Sequence, residues 1–224
     1  MGRINGLLLG TLVLLATTMN YSATAPAHDA PIKFDTAIEN TVFEFYVNLF
    51  KYLFHSLVKT RELLESVLKD DTIVPNNNIN RTKEQLQDYI AETTECLKPL
   101  PTNMTTLDGF LYIVANIHTI NLFGDIVKRY NTTSLPTPTD EDRLIEATLK
   151  RHGLDELINN LKIRKTEFIN EFLCKMDIVV TDLSEEDKIK NHKLVEWYQN
   201  YRNSTEEQRA NDVFTHFAQM FARF

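Results

Sequence analysis

The sequence predicts an all-α fold: an irregular bundle of about six to seven helices around one long aromatic-rich central helix, with one disulfide. Three observations carry that expectation. Only three of the six glycines, Gly109, Gly124 and Gly153, lie beyond residue 25, too few for the turns of a β architecture. Cap signatures and proline breaks recur along the chain at helix-length intervals. The third is the run Phe43-Glu44-Phe45-Tyr46-Val47-Asn48-Leu49-Phe50-Lys51-Tyr52-Leu53-Phe54-His55, which is apolar nearly all round. At about 100° per residue, Glu44, Asn48, Lys51, His55, Lys59 and Glu62 fall in a sector roughly 80° wide. Such a helix has to be wrapped on most sides, either as a core helix or as the wall of a cavity for an apolar ligand lined by Phe43, Tyr46, Phe50 and Phe54.

Ahead of it, Met1-Gly2-Arg3, the apolar stretch from Leu7 to Ala16, and Ala23-Thr24-Ala25 read as a secretory signal peptide over residues 1–25, with cleavage uncertain by a few positions. The apolar stretch is well short of the roughly 20 residues a spanning helix needs. Removing the first 25 of 224 residues leaves 199, a single helical domain from 26 to 224. Arg3 is lost with them, so 23 basic residues face 31 acidic ones, a formal charge of −8 that suits neither nucleic acid nor another polyanion.

Residues 26–33 form a lead-in, and Asp35 is positioned to cap the central helix, which runs to Asp71. After the break at Ile73-Val74-Pro75, a second helix starts at Asn80 to Thr82, carries Leu86, Tyr89, Ile90, Thr93 and Leu97 at helical spacing, and stops at Pro99. The third runs from Leu107 to Tyr130 with Phe110, Ile113, Ile117, Ile120, Phe123 and Val127 on its apolar side. Glycine inside a helix costs about 1 kcal/mol against alanine, so Gly124 on that side points to a close helix crossing.

The stretch Asn131 to Thr139 is a loop, excluded from helix by its two prolines. Thr139 with Asp142 forms a capping box for a fourth helix, Asp140 to His152, which Gly153 terminates. A fifth extends from Asp155 to Val180. Ser184 with Asp187, and Ser204 with Glu207, open a sixth and a seventh. The seventh, residues 205–224, places Val213, Phe214, Phe217, Phe221 and Phe224 on one face, which suits docking on the bundle.

Cys96 and Cys174 are the only cysteines, and in a chain routed through an oxidising compartment they are expected to pair. Closing a loop of about 78 residues would stabilise the fold by roughly 4 kcal/mol. Asn80, Asn103, Asn131 and Asn203 each begin an Asn-x-Ser/Thr triplet, and all four fall at expected breaks between helices, where a glycan is tolerated.

The local signatures of catalysis are missing: there is no HExxH, GxSxG, Walker loop or GxGxxG, and the six histidines are scattered. No metal or cofactor is implied, and the expectation is a protein that is not an enzyme. One polar group stands out on the third helix, where His118, Asn121 and Asp125 share one side. It reads as a solvated stripe, or as a polar anchor at the mouth of an apolar cavity. The residues therefore point to a secreted glycoprotein that binds another extracellular protein, as an effector or cytokine-like factor, without stable membrane insertion. The alternative is a carrier of a lipid or hormone within the bundle.

Overall fold

The computed structural model describes residues 36–98, 107–205 and 208–209. These form seven α-helices and no strand: α1 (Ala37–Leu68), α2 (Asn80–Cys96), α3 (Leu107–Arg129), α4 (Asp140–Arg151), α5 (Leu154–Asp182), α6 (Glu185–Lys190) and α7 (His192–Asn203). The expected leader, residues 1–25, and Asn103 lie outside the described residues. So does the amphipathic segment after Arg209.

α1 is the axis, packing against α2, α3, α4 and α5. It opens on a capping box in which Thr36 Oγ1 accepts the Glu39 N–H at 3.3 Å and the Glu39 carboxylate accepts the Thr36 N–H at 3.2 Å. The cap is therefore Thr36 rather than the expected Asp35, because the residue three places after Thr36 is a glutamate that can reach back, whereas Ile38 follows Asp35 at that spacing. Asp35 lies outside the described residues.

Two clusters of buried side chains share this axis. The first half of α1 contributes Ile38, Val42, Phe45, Tyr46 and Leu53, which pack with Phe172 and Met176 of α5 and Tyr198 and Tyr201 of α7. Rings dominate here: Phe45 lies 4.1 Å from Phe172 and 5.9 Å from Tyr201 between centroids. Each buried large side chain contributes on the order of 1.5–3 kcal/mol, and offset or edge-on ring pairs add roughly 0.5–1.5 kcal/mol. The second half contributes Leu63, Leu64 and Val67, joined by Leu86 and Tyr89 of α2, Phe123 and Ile126 of α3, and Ile145 and Leu149 of α4.

Several expectations shift. The cysteines do not pair: both thiols are free, Cys96 buried and Cys174 exposed. Cys96 ends α2 with its Sγ 3.3 Å from Thr119 Oγ1 of α3. Cys174 stands midway between the buried residues Phe172 and Met176, which occupy one face four positions apart, so helical phase turns it to the opposite side. Gly124 does not mark a close crossing either. It is exposed, and a Cβ added there would meet no atom within 4 Å. α3 buries Asn116, Thr119, Phe123 and Ile126, followed by Tyr130 just past its end, a face rotated from the expected one, because Thr119 finds polar partners inside while Ile117, Ile120 and Val127 sit at its borders.

The long sixth helix is two. Asn191 closes α6, its backbone N–H and its Nδ2 both donating to Asp187 O at 2.9 Å, and its own carbonyl then starts α7 by accepting from Leu194 and Val195. Beyond α7, Thr205 and Gln208 form a reciprocal pair, the Thr205 N–H donating to Gln208 Oε1 and the Gln208 N–H to Thr205 Oγ1, while Ser204 Oγ donates to Asn200 O; Glu207 of the expected Ser204 cap lies outside the described residues. The loop 131–139 holds one 3₁₀ turn, Thr132–Ser134. At the α4–α5 elbow Gly153 has φ +94°, the left-handed conformation glycine adopts at least cost, and α5 begins at Leu154 with no linker.

Candidate functional site

Helical phase sorts the aromatic residues of α1. Tyr46 is 6 % exposed and lies in the first cluster, 5.5 Å edge-on to Phe45. Burial, with Tyr201 nearby, raises its phenol well above the ordinary range. Phe43, Val47, Phe50 and Phe54 fall within roughly 60° of one another on a different side. On that side Phe43 is 38 % and Phe54 36 % exposed, and Phe50, half-buried, stands 6.4 Å from the Phe54 ring. The structure thus brings together three of the four aromatics expected to line a cavity, on the outer face of α1, and separates Tyr46 from them.

Beside this apolar stripe runs the polar sector of the same helix. Glu44 pairs with Lys175 of α5 at 3.1 Å and Lys59 with Glu62 at 2.7 Å. His55 is held below the ordinary imidazole range by desolvation and by the positive charges of Arg164 and Lys59. The outer face therefore reads as an apolar strip edged by charge.

His118, Asn121 and Asp125 are all exposed on α3. The nearest opposite charge to His118 is Glu92 of α2, at 4.0 Å from Nε2. They form a solvated stripe on a helix whose polar chemistry lies on the other side. There Thr119 Oγ1 bonds Glu92 and the Cys96 thiol. Above it Thr60 Oγ1 of α1 meets Tyr89 OH at 2.6 Å. Sequence reading placed Tyr89 and Thr93 on one side of the second helix but missed the rest of this layer, Ser56, Thr60, Asn116 and Thr119. Its signal was the placement of small polar residues four apart on faces otherwise apolar. Burial pushes the Cys96 thiol up, partly offset by Thr119, which keeps it protonated and a poor nucleophile.

A second polar knot joins the turn after α1 to the α4–α5 elbow. The Asp70 carboxylate accepts from Thr72 N–H, from both contacts of Arg151 Nη1 at 3.1 and 2.9 Å, and from His152 Nε2 at 2.8 Å. These hydrogen bonds, with Thr72 first, and the Arg151 charge hold Asp70 far below the usual carboxylate range. Next to it an open cleft of about 290 Å³ is lined by Lys59, Glu62, Ser66, His152, Glu156 and Asn160 among others. Within it Lys59 pairs with Glu62, His152 turns to Asp70, and among the described residues no three His, Cys, Asp or Glu side chains are grouped to hold a metal ion.

Asn80, Asn131 and Asn203 are exposed, at the first residue of α2, in the loop after α3 and at the last residue of α7. No described helix is long and apolar enough to cross a membrane. Comparison with protein-family models, with curated proteins and with solved structures finds no match to this chain, so its function is argued from its own residues.

Proposed function

We propose that this chain is a secreted, N-glycosylated helical protein that acts by binding another extracellular protein through the outer face of α1. The observation that supports this is the exposure of Phe43 and Phe54 on one strip of α1, whose other large apolar residues are buried or half-buried. Grouped large apolar side chains edged by charge suit an interface, where aromatic anchors contribute most of the binding energy. A partner groove or helix would meet residues 43, 47, 50 and 54 at the i, i+4, i+7, i+11 spacing of helix recognition. The carrier reading has less support, because Tyr46 and Phe45 pack against rings of α5 and α7 instead of framing a space.

Native mass spectrometry of the chain purified from its own medium, with organic extraction of the same sample, tests the choice. A protein binder gives the mass of the glycosylated polypeptide alone and an empty extract. A stoichiometric lipid or hormone would replace this reading with the carrier.

A further inference from the structure

The Asn80 and Asn131 triplets lie in segments that touch, and the fold treats their hydroxyl residues in opposite ways. In Asn80-Arg81-Thr82 the acceptor is the first residue of α2 with helical backbone, φ −58° and ψ −39°, and Thr82 is 3 % exposed. Thr82 Oγ1 is 2.8 Å from Tyr130 OH and also bonded to the Glu141 carboxylate. In Asn131-Thr132-Thr133 the acceptor has extended backbone, φ −78° and ψ 94°, and both Asn131 and Thr133 are exposed. Asn131 Oδ1 accepts from Thr133 N–H at 3.2 Å and from Thr133 Oγ1 at 2.6 Å.

A glycosylating enzyme has to engage the asparagine amide and the hydroxyl two residues on together. We propose that Asn131 stays an acceptor of N-linked oligosaccharide after the chain has folded, whereas Asn80 accepts one only before α2 docks against Tyr130 and α4. In the transfer, Asn131 Nδ2 bonds to the anomeric carbon of a lipid pyrophosphate-linked oligosaccharide. The bond from that carbon to the pyrophosphate oxygen breaks, the lipid pyrophosphate leaves with the electron pair, and the proton lost from Nδ2 goes to it. The site rests on the secreted reading for its place in the cell, but not for its chemistry.

The test is to express the full chain without glycans in bacteria, fold it, and incubate it with purified oligosaccharyltransferase and its lipid-linked donor, reading each site by peptide mass mapping. Asn131 should fill at least tenfold faster than Asn80 in the folded chain, and Asn131→Gln should remove that product. When the same chain is translated into microsomes behind a borrowed leader, Asn80 should fill as well. Equal filling of Asn80 and Asn131 in the folded chain, or an unmodified Asn131, would overturn the proposal. Neither arm uses the chain's own leader, so a chain that failed to leave its cell would reject the secretion reading and leave this one standing.

Discussion

The hydroxyls of Thr60 and Tyr89 lie 2.6 Å apart in the interior, joining α1 to α2 between the two apolar clusters. Thr60 already donates to its own helix, with Ser56 O at 2.9 Å, so the phenol is the donor of the shared bond. Burial raises the Tyr89 phenol, which keeps that proton in place. Tyr89→Phe should cost about 1 kcal/mol, the net worth of one buried hydrogen bond. Thr60→Val, which strands the phenol, should cost about 1–3 kcal/mol, and the double variant less than the sum. Urea denaturation of the four proteins checks this. Strict additivity would show that the two groups do not interact.

The Asp70 knot has a defined pH signature. Its folded carboxyl titrates well below the usual range, so its contribution is complete above the unfolded pKa of about 3.9 and fades as pH falls towards the folded value. Asp70→Asn should unfold at lower urea concentration than the parent at pH 7, with the gap narrowing from about pH 4 downward. A gap unchanged between pH 7 and pH 3 would mean that the charge of Asp70 contributes nothing.

The free thiols should differ in reactivity. In the native protein a maleimide reagent should label Cys174 quickly and Cys96 only after denaturant is added, since one is exposed and the other buried with its thiol held protonated. Cys174→Ser should leave the melting temperature unchanged. A protein with no reactive thiol until reductant is added would restore the disulfide.

Two glycines should respond with opposite sign. Gly124→Ala should stabilise by about 0.5–1 kcal/mol, because the new methyl meets open space and alanine favours the helix. Gly153→Ala should destabilise by on the order of 1 kcal/mol, because φ +94° is strained for any residue with a Cβ. Thermal melts of both variants settle the signs.

These residues also mark where sequence reading works. Helix ends were legible because their determinants are local: the Thr139–Asp142 capping box bounds α4 within a few positions, as does Gly153 at the elbow. Local cues failed where neighbours within a few residues compete. Thr36 displaced Asp35 by having the better partner three residues on. Relationships set by helix rotation were not legible at all. Cys96 turns to Thr119 and Cys174 to solvent, and Asp70 finds Arg151 and His152 across 81 and 82 residues of sequence. On α1 the aromatic excess was plain, but which rings face outward depended on where α5 and α7 lie, and that put Tyr46 inside and Phe43 and Phe54 outside.

The central claim, that the outer face of α1 binds a protein partner, is tested most directly by equilibrium binding of the labelled protein to intact cells or immobilised extracellular fluid proteins. The parent chain is compared there with Phe43→Glu, Phe54→Glu and the double variant. Because these side chains are already part-exposed, the variants should keep the melting temperature within a few degrees. The account predicts saturable binding by the parent and a loss of at least tenfold in affinity for the double variant. Saturable binding that is the same for all four proteins would contradict it.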